Sequence, residues 1–287
     1  MFEFLRSVIP FVAPVFIIST MLNVGLTQKP SAIAEHLKNW PFVIKMLLAN
    51  FVFAPLLMII ALYFAPLDPA LKAGLLIFSL GAGAPLLIKL TQTAEHEVAL
   101  GAAVMMLLTV VTVVYMPIVL PLVLTGVSVD ALGVAKSLLL QLILPIGVGM
   151  LATHFLPGLV KKVQPWVARL GSIALYALIV VTLVGYYPNL HAIIGTGAFL
   201  IGLAFVGAAF GLGYLAGAGK DHLEDIGGLG TAQRNTAAGV IIALENFSNP
   251  NVLVMLTLAN MLGIVLLLFI AKALSRDNTV TVGTVSN

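Results

Sequence analysis

The sequence predicts an all-α membrane protein of nine transmembrane helices, two of them broken near their middles. Three observations carry that prediction. Of 287 residues, 61% are hydrophobic and 9% charged, with a mean hydropathy of +1.13, where a soluble domain has about 25% charged residues. Nine apolar runs are each long enough to cross about 30 Å of hydrocarbon, and the short connections leave no room for a soluble domain. The third and eighth runs are interrupted by glycine, proline and polar residues at corresponding places in the two halves. The net charge of +3 is scattered, so it reads as loop charge beside a lipid bilayer, and no nucleic-acid partner is expected. The absence of cysteine excludes disulfides and thiolate metal sites. Residues 1–6 lack a basic leader, so the first run is expected to be a retained span and not a signal peptide.

The first span is read at 8–26 and the second at 41–64. The third, 70–90, carries Gly81, Gly83 and Pro85 in mid-run. Proline removes a backbone donor and its ring clashes with the preceding turn. The fourth span is 98–124, the fifth 134–155, the sixth 166–186 and the seventh 192–216. The eighth, 223–244, contains Ile226-Gly-Gly-Leu-Gly-Thr-Ala-Gln-Arg-Asn-Thr-Ala-Ala-Gly239. Each glycine there costs about 1 kcal/mol relative to alanine, and an arginine at bilayer depth costs roughly 3 kcal/mol. Such a stretch is tolerated where the helix is broken and the break faces protein or water. Read instead as a Gly-rich loop, it would leave 237–244 too short to span. The ninth span is 252–274, followed by a polar tail.

Orientation follows from Lys and Arg in alternate loops. Lys29, Lys38, Lys161, Lys162, Arg169, Lys220, Lys272 and Arg276 fall at one set of span ends, and Arg6, Lys72 and Lys136 at the other. The first set is expected in the cytoplasm. That places a multi-pass chain in the cell (inner) membrane with its N-terminus outside and its C-terminus inside. The eighth span is second from the end of a five-span unit and the third is second from the end of the first four. A first half lacking its opening helix would make the two units inverted repeats. Paired interrupted spans in such repeats point to a transport site.

At a broken helix the N–H end of one half carries partial positive charge and favours an anion, while the carbonyl end of the other half suits a cation. Arg234 adds a full positive charge beside the second break, and Lys89 lies just past the first. A small organic anion is the expected ligand. Gln233 adjoins Arg234 at the second break. Two residues keep alternatives: Lys89 faces the site or snorkels to the interface, and Arg234 serves the site or pairs internally with Glu224 or Asp225. Asn50 and Asn260 either join helices or line the site. Thr109 and Thr112 are read as bonding their own backbone. Glu95, His96 and Glu97 are read as a solvated turn, and no metal site is expected. No nucleophile–base pair, phosphate loop or metal spacing is present, so no enzyme activity and no cofactor is expected.

Several local runs resemble the bile acid:sodium symporter family: Phe16-Ile-Ile-Ser-Thr-Met21 through Ser31, Ala49-Asn-Phe-Val-Phe-Ala-Pro55, Glu97-Val-Ala-Leu100, Arg234-Asn-Thr-Ala-Ala238 and Ala259-Asn-Met-Leu-Gly263. The resemblance spans the chain and implies its nine-helix form. It implies one transporter domain, 1–287, with a panel (about 6–26 and 134–186) moving against a core (about 41–124 and 192–274) by alternating access. It places Asn235 and Asn260 beside an organic substrate, has the backbone at Gly83, Ala84 and Pro85 and at Gly230, Thr231 and Ala232 cradle the anion, and puts Asn50 with Gln233 in a charge site beside Arg234. It also implies two sodium sites, from which this chain departs. The ligand positions hold Leu87, Ile88, Gly101, Met105 and Gly230, with Asn50 and Arg234 at two glutamine positions. Leucine, isoleucine and methionine offer sodium no oxygen. Sodium coupling is therefore expected to be weakened or absent, with Arg234, aided by Lys89, supplying the charge permanently. Proton coupling, exchange, or a receptor that binds without moving its ligand are the alternatives.

Overall fold

A computed structural model describes residues 2–124, 129–219 and 222–284, excluding the side chains of Ala192 and of 276–284. Lys220 and the side chain of Arg276, counted above for orientation, lie outside the described residues. Among these residues all regular structure is helical, and seven helices are long and apolar enough to cross a membrane. In chain order they are α1 (Phe2–Thr27), α3 (Trp40–Phe64), α6 (Val98–Val123), α7 (Ala131–Phe155), α8 (Pro157–Gly185), α10 (Ala198–Gly217) and α13, whose spanning part is Pro250–Ser275. Shorter helices fill the rest: α2 (Pro30–His36), α4 (Pro69–Leu80), α5 (Leu86–Thr93), α9 (Tyr187–Gly195), α11 (Leu223–Ala232) and α12 (Thr236–Asn246). The two interrupted runs are thus each two half-helices, α4/α5 and α11/α12. Many large apolar side chains on the long helices point outward, among them Phe11, Ile118, Leu122 and Leu151. A water-exposed surface of that kind would be unstable, and lipid is the solvent it fits.

Four features depart from the sequence reading. The sixth span begins at Pro157, at the first position of α8, and the helix continues through Pro165. Residues 187–195 form a separate short helix before α10, and the polar tail after 274 continues α13 as helix to Thr284. His96 is not in a solvated turn. Glu95 adopts φ +60°, turning the chain so that the His96 N–H reaches Thr91 O at 3.1 Å and the buried ring meets Asp225.

Packing pairs α1 with α8 and α7, α10 with α11, and α4 with α13. The α10–α11 contact depends on the absence of side chains. A Cβ on Gly213 would stand 2.0 Å from the carbonyl oxygen of Gly227. Backbones that approach this closely gain dispersion contacts over their whole length, which is how helices associate without a hydrophobic driving force. The pairing fixes α11, and so fixes the position of the second break.

Candidate functional site

The two breaks meet. Residues 81–85 separate α4 from α5, and 233–235 separate α11 from α12. The Asn235 N–H donates to Gly81 O at 3.1 Å, and Ala82 and Arg234 form an isolated antiparallel bridge. Asn235 ties the crossing further. Its Nδ2 donates to Gly83 O at 3.0 Å while its Oδ1 accepts the Ala238 N–H at 3.1 Å and caps α12. Helix α6 satisfies part of the remaining loose backbone. Thr112 Oγ1 accepts the Ala82 N–H and donates to Ala82 O, both at 2.9 Å, and Thr109 Oγ1 lies 2.6 Å from Gly83 O. Thr109 also bonds its own backbone at Met105 O, but Thr112 does not, contrary to the sequence reading. Unwound backbone inside the protein needs such partners, and two threonines on the facing helix supply them.

Behind the crossing lies Arg234, 1% exposed. Its Nη1 donates to Asn50 Oδ1 at 2.9 Å and Thr231 O at 3.0 Å; its Nη2 donates to Asn50 O at 3.4 Å and to Ser79 O. Ser79 lies in the last turn of α4 and Thr231 in the last turn of α11. The guanidinium therefore sits where the negative ends of two helix dipoles converge. The Asn50 carbonyl is available for a reason visible in the sequence. Residues 49–53 form a π turn in which the Ala54 N–H reaches back to Ala49 O, and Pro55 has no N–H to offer. The Asn50 side chain is itself anchored, donating to Met46 O at 3.0 Å and Thr231 Oγ1 at 2.9 Å. Among the described residues Arg234 bonds no carboxylate, and Asp225 is engaged by His96 at 2.9 Å. The internal ion pair is thus replaced by helix-end carbonyls.

In front of the crossing is a cavity of about 580 Å³. One wall is the start of the two far half-helices: Ala84, Pro85, Leu86, Ile88, Lys89 and Gln92 from the first, and Gln233, Asn235, Thr236 and Ala237 from the second. Asn260 and Ile264 of α13 join them. The opposite wall is α1 and α8, with Thr20, Asn23, Gln28, Ser172 and Tyr176. The N–H groups of Leu86 and Ala237 form no hydrogen bond among the described residues. The positive helix ends therefore face the cavity and the negative ends face Arg234. Lys89 is exposed on the cavity wall, and no carboxylate lines it among the described residues. The Asn260 side chain makes no hydrogen bond to the described protein, and the buried Gln233 Oε1 has no partner.

Of the residues singled out in the sequence, Ala84, Pro85, Lys89, Gln233, Asn235 and Asn260 line the cavity. Gly83, Thr231, Ala232, Arg234 and Asn50 are buried behind it and form the support of the crossing. The sequence reading missed the polar residues of α1 and α8, although Thr20 and Asn23 inside an apolar run were a readable signal. Of the positions where the resemblance implies ion ligands, Gly230 is packed against apolar side chains and Gly101 against the Thr91 hydroxyl. A Cβ on Gly230 would touch Val104, Leu87 and Met46 at 3.0, 3.3 and 3.5 Å, and one on Gly101 would strike the Thr91 side chain at 2.2 Å.

Apolar spans, two broken helices meeting at their breaks and a cavity against the meeting point define a multi-pass membrane protein of transporter type. The sequence matches the model of the Sodium Bile acid symporter family over residues 14–193, and the chain belongs to that family. The matched region includes the first break, and the second lies beyond it. A comparison with individually curated proteins gives no significant match.

Proposed function

We propose that the chain is a secondary transporter, not an enzyme, that carries a small organic anion by alternating access, with Arg234 in place of a coupling sodium ion. One observation carries the reading. A buried guanidinium joins the carbonyl ends of both broken helices on one side, while their N–H ends and Lys89 face a cavity on the other. A cation bound between such carbonyl ends is the usual arrangement for sodium in broken-helix transporters. Here a fixed cation already satisfies Ser79 O, Thr231 O and Asn50 O, and Leu87, Met105 and Gly230 offer no side-chain oxygen. Sodium does not fit this set, so no step is assigned to it.

Contacts between loops support nine crossings. His36 meets Glu97 at 3.1 Å and His96 meets Asp225 at 2.9 Å, which gathers three connections on one face. Arg6 Nε donates to Gly185 O at 2.8 Å and Asn189 Nδ2 to Asn251 Oδ1 at 2.7 Å, gathering others on the opposite face. The chain alternates between these faces once per span, counting each broken pair as one. Two inverted units then place one break each at the midplane, in an inner membrane, with the N-terminus outside by the charge rule. The cavity lies between the proposed panel (α1, α7, α8) and the core, so sliding one against the other closes one mouth and opens the other.

Two substitutions test the front of the site. Asn260→Ala removes a side chain with no protein hydrogen bond, so carboxylate affinity is expected to fall about tenfold, the worth of one hydrogen bond to a charged group, with an unchanged melting temperature. Lys89→Gln is expected to weaken binding about tenfold and flatten its dependence on ionic strength, since only a charge is screened by salt. Calorimetric titration at two salt concentrations reads both. Uptake of a stabilising carboxylate into proteoliposomes tests the function. Equal uptake in sodium and in choline is expected, and collapse in choline overturns the reading.

A further inference from the structure

We propose that His96, His222 and Asp225 form a site for one divalent transition-metal ion of the zinc type, away from the transport cavity. The three side chains offer ligand atoms that all lie within 4.8 Å of one another. His96 Nε2 is 2.9 Å from Asp225 Oδ2, and the two imidazole rings lie 4.5 Å apart, tilted by 33°. Zinc bonds of about 2.0–2.2 Å to nitrogen and oxygen place tetrahedral ligands about 3.4 Å apart. Side-chain rotation closes that gap, and exposed His222, the residue preceding α11, has the freedom to make it. His96 is buried and held by its turn, so it would act as the fixed ligand.

The charge balance at this place points the same way. Glu224 and Asp225 stand together in the first turn of α11, and no Lys or Arg pairs with either among the described residues. Glu224 Oε2 and His96 Nδ1 are buried without hydrogen-bond partners. The α11 dipole offsets part of the negative charge, but a buried carboxylate oxygen with no donor remains. A divalent ion supplies the missing charge. Two imidazoles and a carboxylate select zinc, cobalt, nickel or copper over magnesium or calcium, and three protein ligands leave a fourth position for water.

The ion would join two elements far apart in sequence. His96 lies in the turn after α5 and Asp225 at the start of α11. Those are the outer ends of one half of each broken helix. Metal binding would therefore clamp the two broken helices together at the face opposite Arg6.

The test uses purified full-length protein in detergent, with any affinity tag removed and resident metal stripped with EDTA. Cobalt(II) is titrated by its visible absorption and zinc(II) by calorimetry and thermal melting. One ion per chain and a rise in melting temperature with zinc are expected. His222→Ala and Asp225→Asn should each weaken binding at least 100-fold, about the upper loss seen for residues that only support metal ligands. His191→Ala, an exposed histidine elsewhere, should bind as the wild type does. Because His222 is exposed, its variant remains folded and decides the matter even if Asp225→Asn does not. No binding by the wild type, or undiminished binding by His222→Ala, overturns the proposal.

Discussion

Arg234→Ala is expected to destabilise the protein by about 3–5 kcal/mol and lower its melting temperature by about 10 °C. The guanidinium donates to Asn50 Oδ1 and to the carbonyl oxygens of Asn50, Ser79 and Thr231. Each acceptor left without a donor in the interior costs about 1–3 kcal/mol, and the loss falls at the point where both broken helices are joined. The full sum overstates the effect, because water entering the vacated space would satisfy part of it. Arg234→Lys keeps the charge but offers three donors from a point and no planar fork. It should fall between wild type and Arg234→Ala. A thermal melt within 2 °C of wild type for Arg234→Ala would contradict the account, since it would mean the carbonyl ends need no cation.

Gly83→Val should be at least as damaging, with little folded protein recovered. Gly83 has φ +80°, and an added Cβ would stand 2.2 Å from the Thr109 N and 2.6 Å from the Met105 carbonyl oxygen. The left-handed conformation costs a side chain about 1–2 kcal/mol. A β-branched residue raises that further. The larger penalty is the clash, because both neighbours are backbone of α6 and cannot rotate away. The first break would have to leave Thr109 and Thr112, exposing the Ala82 and Gly83 backbone groups they satisfy. Ala84→Gly, one residue on, meets none of these constraints and is expected to leave the melting temperature nearly unchanged. Expression and size-exclusion profiles of the two variants separate a local requirement at Gly83 from a general intolerance of the segment.

Much of this architecture was legible in the residues. The two breaks were readable because glycine, proline and arginine are costly in a lipid-facing helix, so their presence in apolar runs demands a special structure. The position of Arg234 was only half readable. Asn50, expected beside it, does accept through Oδ1, but its other partners are backbone carbonyls of α3, α4 and α11 in place of an acidic residue. Backbone partners carry no side-chain signature. Only Pro55, which frees the Asn50 carbonyl, left a trace in the sequence. The same limit hid Thr112, whose hydroxyl serves a backbone 30 residues away. His96 was misread for a related reason. A His between two glutamates looks hydrophilic, yet the partner that buries it lies 129 residues on. The far wall of the cavity was missed because Thr20, Asn23 and Tyr176 are isolated polar positions in long apolar helices, and such positions more often join helices.

The claim at the centre is that Arg234 does the work of a bound cation. Ligand-induced thermal stabilisation tests it most directly: wild type and Arg234→Gln, each with a panel of small carboxylates, in sodium and in choline. Ligands that bind the folded state raise its stability by mass action. The account predicts that a carboxylate stabilises wild type equally in both salts and fails to stabilise Arg234→Gln in choline. A wild-type response that requires sodium would contradict it, because the guanidinium would then not be the charge that completes the site.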